Sequence, residues 1–292
     1  MDELLKILID IGREAAGQLL DLVYPPALYC ICCGKIIDAT RPYRLCNECM
    51  EGIKWATGRI CLKCGKPLSE SNPGRECFDC REHGHLFDRG FTCAEYGEHE
   101  RSIVLDLKYK GSTHIAATLA EILHDRLELL RSLGEMPEYD LILPVPMHRA
   151  KERARGFNQA ALIAKELSRL EDRPWTPDAI LRVRGTKAMR GLSPEERRRN
   201  IRGAFEISPL WAGQADRLPV LKPAQMPGKH DIRTKHEKRP IGESLAGLRV
   251  LIVDDLYTTG ATVDAMTEEL RQAGVREVYV LSFAAAADVP EI

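Results

Sequence analysis

Four Cys-x-x-Cys pairs constrain this chain more than any other feature of its sequence. They span 30–33, 46–49, 61–64 and 77–80, and twelve residues separate the two pairs of each half. Zn²⁺ favours four thiolates in a tetrahedron, and two such pairs supply them without a large scaffold. Because thiolates fill every position, none is left open for water. The spacing therefore predicts two structural zinc ions.

In chain order, the first ion takes the first two pairs and the second ion takes the last two. The ligands are then Cys30, Cys33, Cys46 and Cys49 for one ion, and Cys61, Cys64, Cys77 and Cys80 for the other. Interleaved pairing stays open, and Cys32 is a possible substitute for Cys33. Cys93 stands apart and is predicted to be a buried strand residue.

The function of two such zinc ribbons has two interpretations. They are docking surfaces for nucleic acid or protein, or they replace a core that is too small to fold alone. A zinc deaminase is excluded, because its H-x-E and P-C-x-x-C signatures do not occur in the sequence.

Composition predicts an ordinary globular protein of about two domains. The chain has 292 residues, of which 44% are hydrophobic and 29% charged. Lys and Arg (42) nearly balance Asp and Glu (43), so any nucleic-acid contact must come from a local basic face. Aromatic residues at 6% argue against a broad base-stacking platform.

The location expected from the sequence is the cytoplasm. No apolar run approaches the roughly 18–20 residues that span a bilayer. The first residues carry acidic charges, among them Asp2 and Glu3, and lack the basic start of a signal peptide.

The chain divides into three predicted parts. Residues 1–25 show helical apolar spacing and predict an amphipathic helix, 26–85 a double zinc ribbon, and 86–292 an α/β domain. Within the last part, apolar runs predict strands at 140–145, 248–253 and 278–284, and helical patterns lie at 158–170 and 261–273. Strands alternating with helices are typical of a parallel sheet. A Pro- and Lys-rich stretch at 208–245 is predicted to be a flexible insertion.

An acidic pair followed by a Thr- and Gly-rich loop ends the strand at 248–253. Asp254 and Asp255 come first; the loop residues are Thr258, Thr259, Gly260, Ala261 and Thr262. At the carboxyl end of a parallel strand, such a loop opens toward the ligand crevice, and the next helix points its N–H groups into it. The amides and hydroxyls suit a phosphate, and the carboxylates suit ribose hydroxyls or hydrated Mg²⁺. The pattern predicts a sugar-phosphate site.

Other phosphate-binding classes are excluded. The sequence contains neither the G-x-x-x-x-G-K-[ST] of a P-loop nor the G-x-G-x-x-G of a dinucleotide fold. The competing interpretation, that Asp and Thr only cap a helix after a strand, would be the better one for a lone D-x-x-T-G.

The acidic loop resembles that of the type I phosphoribosyltransferases, which bind 5-phosphoribosyl-1-pyrophosphate (PRPP). A second block, Pro144 to His148 with Lys151 and Arg155-Gly156-Phe157-Asn158-Gln159, is similar to the signature of the ComF family, the phosphoribosyltransferase-like competence proteins. The double zinc ribbon in front agrees with that family, and the resemblance covers nearly the whole chain apart from 208–245.

The resemblance implies a type I phosphoribosyltransferase-like parallel sheet flanked by helices, with a PRPP loop at 254–262. Asp254 and Asp255 would hold ribose and Mg²⁺, and the segment 145–155 would form the pyrophosphate side, with Lys151 and Arg155 as ligands. One departure from the family pattern is Met189, which stands where a glutamine is expected three residues after Thr186. The role of that side chain is therefore open.

The sequence leaves three functions to be distinguished. The first is a ComF-type protein of natural competence and DNA uptake that binds PRPP with Mg²⁺. The second is an active phosphoribosyltransferase of unknown acceptor, for which turnover is not established. The third is an adaptor for single-stranded DNA or the DNA-import machinery, using the ribbons and the basic segment 182–202, whose local charge is +6.

Overall fold

A computed structural model describes residues 28–109, 114–185, 194–211 and 244–289 of the chain. Three features singled out in the sequence lie outside these ranges: the N-terminal helix predicted at 1–25, Met189, and the greater part of the insertion predicted at 208–245, namely 212–243.

The described chain contains eight α-helices and six strands. The helices are α1 (Asn47–Gly52), α2 (Phe78–His83), α3 (Glu98–Tyr109), α4 (His114–Ser132), α5 (Arg149–Arg155), α6 (Gln159–Glu171), α7 (Pro194–Ile201) and α8 (Ala261–Gln272). The strands are β1 (Arg89–Glu95), β2 (Leu141–Pro144), β3 (Ile180–Arg182), β4 (Phe205–Ile207), β5 (Arg249–Tyr257) and β6 (Glu277–Ala285). The three strands and two helices predicted from apolar patterns are all confirmed within a few residues.

The main sheet has the strand order β1-β6-β5-β2, and every pairing in it is parallel. This confirms the fold class expected from the alternation of strands and helices. β1 contains the buried Cys93 and was not among the strands predicted from apolar runs. β3 and β4 form a separate antiparallel pair.

Both faces of the sheet are covered, as continuous apolar strands require. Leu251 and Val253 of β5 face a cluster that includes α3, α4, α6 and the first ribbon, the one that contains the Cys pairs at 30–33 and 46–49. Val250 and Ile252 face the opposite cluster, which includes α8, the β3–β4 pair and the second ribbon. Each zinc ribbon therefore packs on its own face of the sheet.

The ribbons are also joined to the sheet through the backbone. Trp55, just beyond the first ribbon, forms an antiparallel bridge with Ala94 of β1. After β6, Asp288 reaches into the second ribbon, where its carboxylate accepts hydrogen bonds from the Phe78 amide (2.9 Å) and the Asn72 side chain (2.8 Å). The domain boundary at 85/86 stays a prediction, but the apolar core runs across it.

No helix in the described ranges is both long enough and apolar enough to span a membrane.

Candidate functional site

The eight predicted zinc ligands form two groups of four. In each group the four sulfur atoms lie within 4.8 Å of one another, and the groups follow chain order rather than interleaving; they are Cys30, Cys33, Cys46 and Cys49, and Cys61, Cys64, Cys77 and Cys80. All of these thiols are free of disulfides. The chain-order grouping predicted from the spacing is the one that the structure adopts.

The sulfur spacing fits a tetrahedral ion. Zn–S bonds of about 2.3 Å imply sulfur–sulfur edges of roughly 3.8 Å. The Sγ–Sγ distance is 3.7 Å for Cys33–Cys46 and 3.6 Å for Cys64–Cys77. Backbone amides also donate to the sulfurs, as from Cys80 N to Cys77 Sγ at 3.4 Å, which favours the thiolate form. Both groups therefore have the donor chemistry and spacing that zinc requires.

The two remaining cysteines lie outside these groups. Cys32 is buried and its thiol donates to the His99 carbonyl at 3.8 Å, while Cys33 occupies the position in the first group. Cys93 is buried in β1, as predicted, and its thiol donates to the Ile122 carbonyl at 3.8 Å. Burial raises the pKa of Cys32 to about 11 and that of Cys93 to about 12, so both stay protonated thiols.

The acidic pair lies inside β5 rather than in the loop after it. Asp254 pairs with Ser282 of β6, and the strand continues to Tyr257. The strand end predicted at Val253 is thus four residues too early. The backbone of β5 stays hydrogen-bonded to β6 after the apolar run ends. The predicted loop shortens to Thr258, Thr259 and Gly260, and α8 begins at Ala261.

The segment after β2 lies at the same edge of the sheet. Val145 donates its amide to the Val253 carbonyl at 3.0 Å, so the chain leaves β2 directly beside the start of the acidic pair in β5. Asn158 fixes the next turn, because its side chain donates to the Val145 carbonyl (3.0 Å) and accepts from the Ala160 amide (3.1 Å) at the start of α6. The two segments singled out in the sequence therefore meet where α/β proteins bind ligands.

The turn into α8 depends on Gly260, which has φ +74°. Glycine adopts this left-handed conformation without strain, and the turn leaves the first amides of α8 free of intrahelical partners. The side chains of Thr258, Thr259 and Thr262 are partly exposed around it. This arrangement of amides and hydroxyls suits a phosphate.

The two carboxylates are in different environments. Asp255 is buried and its Oδ2 lies 2.5 Å from Nζ of Lys108 on α3. Asp254 is half-buried; burial, and then the charge of Asp255, raise its pKa well above the usual range. Burial alone would lower the pKa of Lys108, but the attraction of Asp255 and then of Asp254 raises it. Lys108 therefore stays a cation beside the pair.

Two arginines extend this positive charge. Arg155, at the end of α5, stacks over the Tyr109 ring with its guanidinium 5.5 Å from the ring centroid, and its charge acts on Lys108. Arg182, at the end of β3, lies within range of the Asp254 charge, and burial lowers its pKa. Lys151, one turn before Arg155 on α5, has an exposed side chain. Arg155 thus lies next to α3 within range of the Lys108 charge, whereas Lys151 projects from the surface.

His85, which follows the second ribbon, contacts the two elements on either side of the turn at Gly260. The buried His85 ring contacts Asp264 of α8 through Nδ1 (2.8 Å) and Tyr257 of β5 through Nε2 (3.1 Å). Phe87 stacks on that ring with 4.9 Å between centroids. The turn at Gly260 therefore rests on side chains fixed by the ribbon.

Two residues of this site, Lys108 and His85, carry no distinguishing signal in the sequence. Lys108 reads as an ordinary polar position near the end of an amphipathic helix, and His85 as one histidine of a polar turn. No local motif distinguishes them, since both act on residues far along the chain. Arg182 belongs to the basic segment 182–202, where nothing in the sequence distinguishes it from the other positive charges.

Comparisons with known proteins agree with both halves of this description. The family model "Double zinc ribbon domain" matches residues 19–81, and "Phosphoribosyl transferase domain" matches residues 222–290. Fold and sequence together define a phosphoribosyltransferase-type domain preceded by a double zinc ribbon.

Two curated relatives specify the family. Competence protein F of Haemophilus influenzae is 28% identical over 200 residues, which cover 68% of this chain and 74% of that protein. DNA utilization protein YhgH of Escherichia coli K12 is 30% identical over 200 residues, covering 66% of this chain and 70% of that protein. The chain belongs to the ComF family, with these two proteins.

Proposed function

We propose that this protein acts in natural competence and the use of external DNA, and that its phosphoribosyltransferase domain binds PRPP with Mg²⁺. The observation that carries the proposal is the convergence of Asp254 and Asp255 with Lys108, Arg155 and Arg182 at the carboxyl edge of the parallel sheet. A cytoplasmic location and two bound Zn²⁺ complete the proposal.

The 5′-phosphate would bind at the start of α8. Free amides at a helix N-terminus and the positive end of the helix dipole favour a dianion. Gly260 allows the backbone to approach the ligand, and the hydroxyls of Thr258, Thr259 and Thr262 would donate to its oxygens. The buried Ala261 adds its amide at the first helical position.

The ribose would lie over the acidic pair. Carboxylates accept hydrogen bonds from the two ribose hydroxyls, and Mg²⁺ is a hard cation that prefers oxygen ligands and keeps several waters. Asp254 and Asp255 are the residues that would hold ribose and metal. The bound cation would neutralise charge between these carboxylates and the pyrophosphate.

The pyrophosphate would face α5. Arg155 provides a planar fork of donors suited to phosphate oxygens, and Lys151 provides a mobile ammonium one turn away. Turnover to an acceptor would require these cations to stabilise the departing pyrophosphate, since such chemistry needs positioning and charge rather than a covalent residue. If turnover is absent, the same site would serve as a sensor of PRPP in a DNA-handling adaptor.

The zinc ions would be structural. Four thiolates fill each coordination shell, so the ions would supply folding energy rather than a reactive water. The second ion would also support the PRPP loop, because its ribbon positions His85 against Tyr257 and Asp264.

Isothermal titration calorimetry with PRPP and Mg²⁺ tests the proposal. We expect the wild type to bind and the double variant Asp254→Asn/Asp255→Asn to bind at least about tenfold more weakly, because each lost charged hydrogen bond contributes about 1.5–3 kcal/mol. The control is Asp172→Asn, an exposed carboxylate at the end of α6 whose left-handed backbone asparagine tolerates. Equal PRPP affinity in the double variant and the wild type would refute the site.

A screen for pyrophosphate release across nucleobases and amines separates binding from turnover. Release with one acceptor identifies an enzyme, whereas PRPP binding without release across the panel favours the sensor.

A further inference from the structure

A cavity of about 290 Å³ lies between the first zinc ribbon and α4, away from the acidic pair. It is lined by apolar and aromatic side chains together with two charged ones. The lining includes Tyr43, Trp55, Cys93, Asp125 and Arg126.

Two aromatic rings form one side of this cavity, and both are held in place. Tyr43 has φ 52° and Arg44 φ 49°, a left-handed backbone that non-glycine residues rarely adopt and that is often retained at ligand sites. The Tyr43 hydroxyl donates to Asp125 at 2.6 Å, and its ring centroid lies 5.9 Å from that of Trp55. The Trp55 indole N–H donates to the Met50 carbonyl at 3.1 Å.

The polar lining includes a buried donor without a partner. Nε of Arg126 is shielded from solvent and makes no hydrogen bond with any residue of the described ranges. A buried guanidinium N–H left in this way is destabilising until an acceptor reaches it. The neighbouring Cys93 thiol stays neutral and does not supply that acceptor as a thiolate.

We propose that this cavity binds a single nucleobase. The base would stack on Tyr43 or Trp55, the Arg126 guanidinium would donate to a ring nitrogen or carbonyl of the base, and Asp125 would accept from a base N–H. Ligand pockets usually start at about 300 Å³, so this volume suits one base rather than a larger molecule.

Charge and shape favour a base over an isolated anion or an apolar chain. Asp125 beside Arg126 opposes the binding of a phosphate alone, while base edges carry both donors and acceptors and so match both groups. Aromatic walls with fixed orientation favour a flat ring, and stacking tolerates any base. The base could come from single-stranded DNA or from a free nucleoside. Only the choice of DNA as a probe rests on the proposed function.

Fluorescence of Trp55 provides the test. A full-length Trp175→Phe/Trp211→Phe variant keeps Trp55 as its one tryptophan. It is titrated, without PRPP, with a single-stranded oligodeoxynucleotide, with an abasic oligonucleotide of the same length, and with free nucleosides. We expect quenching by the base-containing oligonucleotide and much less by the abasic one. Quenching by nucleosides alone supports the site with a free ligand, whereas equal quenching by both oligonucleotides, or none by any ligand, overturns it.

Substitutions in the same background identify the pocket. Arg126→Leu is expected to weaken binding roughly tenfold, the scale of one lost base contact, and Tyr43→Phe, which loses only the hydroxyl contact with Asp125, by less. The control is Arg276→Leu, an exposed arginine before β6. Two zinc ions per chain and an unchanged circular dichroism spectrum establish that the variants fold. Equal affinity in Arg126→Leu and Arg276→Leu would overturn the assignment. Because PRPP is absent, failure of the PRPP site leaves this result intact.

Discussion

Replacing Gly260 by alanine tests the link between the second zinc ribbon and the PRPP loop. The added Cβ would lie 2.4 Å from Oη of Tyr257 and 2.6 Å from Cε1 of His85. Carbon atoms pack at about 3.5 Å or more, so these rings would have to move by roughly 1 Å. They are not free to do so, because Tyr257 and His85 contact each other and His85 is held by Asp264.

Two effects lower the unfolding free energy of Gly260→Ala. The left-handed backbone at φ +74° costs an alanine about 1–2 kcal/mol, and forced repacking costs about 1–3 kcal/mol more. We therefore expect unfolding free energy to fall by about 2–5 kcal/mol. Displacement of the turn should also weaken PRPP binding, because the amides of α8 no longer converge on the phosphate.

Gly247→Ala is the matched control. Gly247 has φ +77°, and a Cβ there meets nothing within 4 Å, so the variant carries the backbone cost without the clash. Urea denaturation and PRPP calorimetry on both variants isolate the contribution of the contacts with Tyr257 and His85. If the two variants lose the same stability and Gly260→Ala keeps wild-type PRPP affinity, the ribbon does not support the loop.

Three further results are expected. Cys64→Ser and Cys33→Ser should each lower zinc from two ions to one by atomic absorption, but only Cys64→Ser, on the ribbon beneath the loop, should weaken PRPP binding. Lys108→Met should lower the unfolding free energy by about 1–3 kcal/mol by leaving Asp255 unpaired, and Lys108→Arg should restore most of it; no loss on thermal denaturation would contradict the ion pair. Burial opposes a lower pKa for Glu171, but hydrogen bonds from neighbouring side chains lower it overall. The ionised Glu171 therefore stabilises the folded state above about pH 4.3, and this contribution is lost as the pH falls through the lowered pKa. In Glu171→Gln the unfolding free energy should fall less steeply as the pH is lowered below about 4.3. The same steepness in the variant and the wild type would count against this role of Glu171.

Local chemistry made much of the molecule predictable. Zinc ligands sit in short repeated motifs, so the eight thiols followed from spacing, whereas the structure decided between chain-order and interleaved grouping. The apolar runs marked β2, β5 and β6 within a few residues. The end of β5 was misplaced because the strand continues through polar Asp254 and Asp255. Backbone pairing with β6 extends β5 to Tyr257, and the hydrophobicity of the sequence does not predict this pairing.

The sequence by itself determined the class of protein, the two sets of thiols and the acidic pair with its Thr-Gly turn, because each depends on residues adjacent along the chain. The tertiary structure decided what surrounds that pair. His85 reaches Asp264 across 179 residues, and Lys108 comes to Asp255 from α3, the helix that follows the edge strand β1 along the chain. Such contacts form because helices and ribbons pack on both faces of one parallel sheet. They join residues far apart along the chain, so neither a local motif nor a periodic pattern in the sequence predicts them.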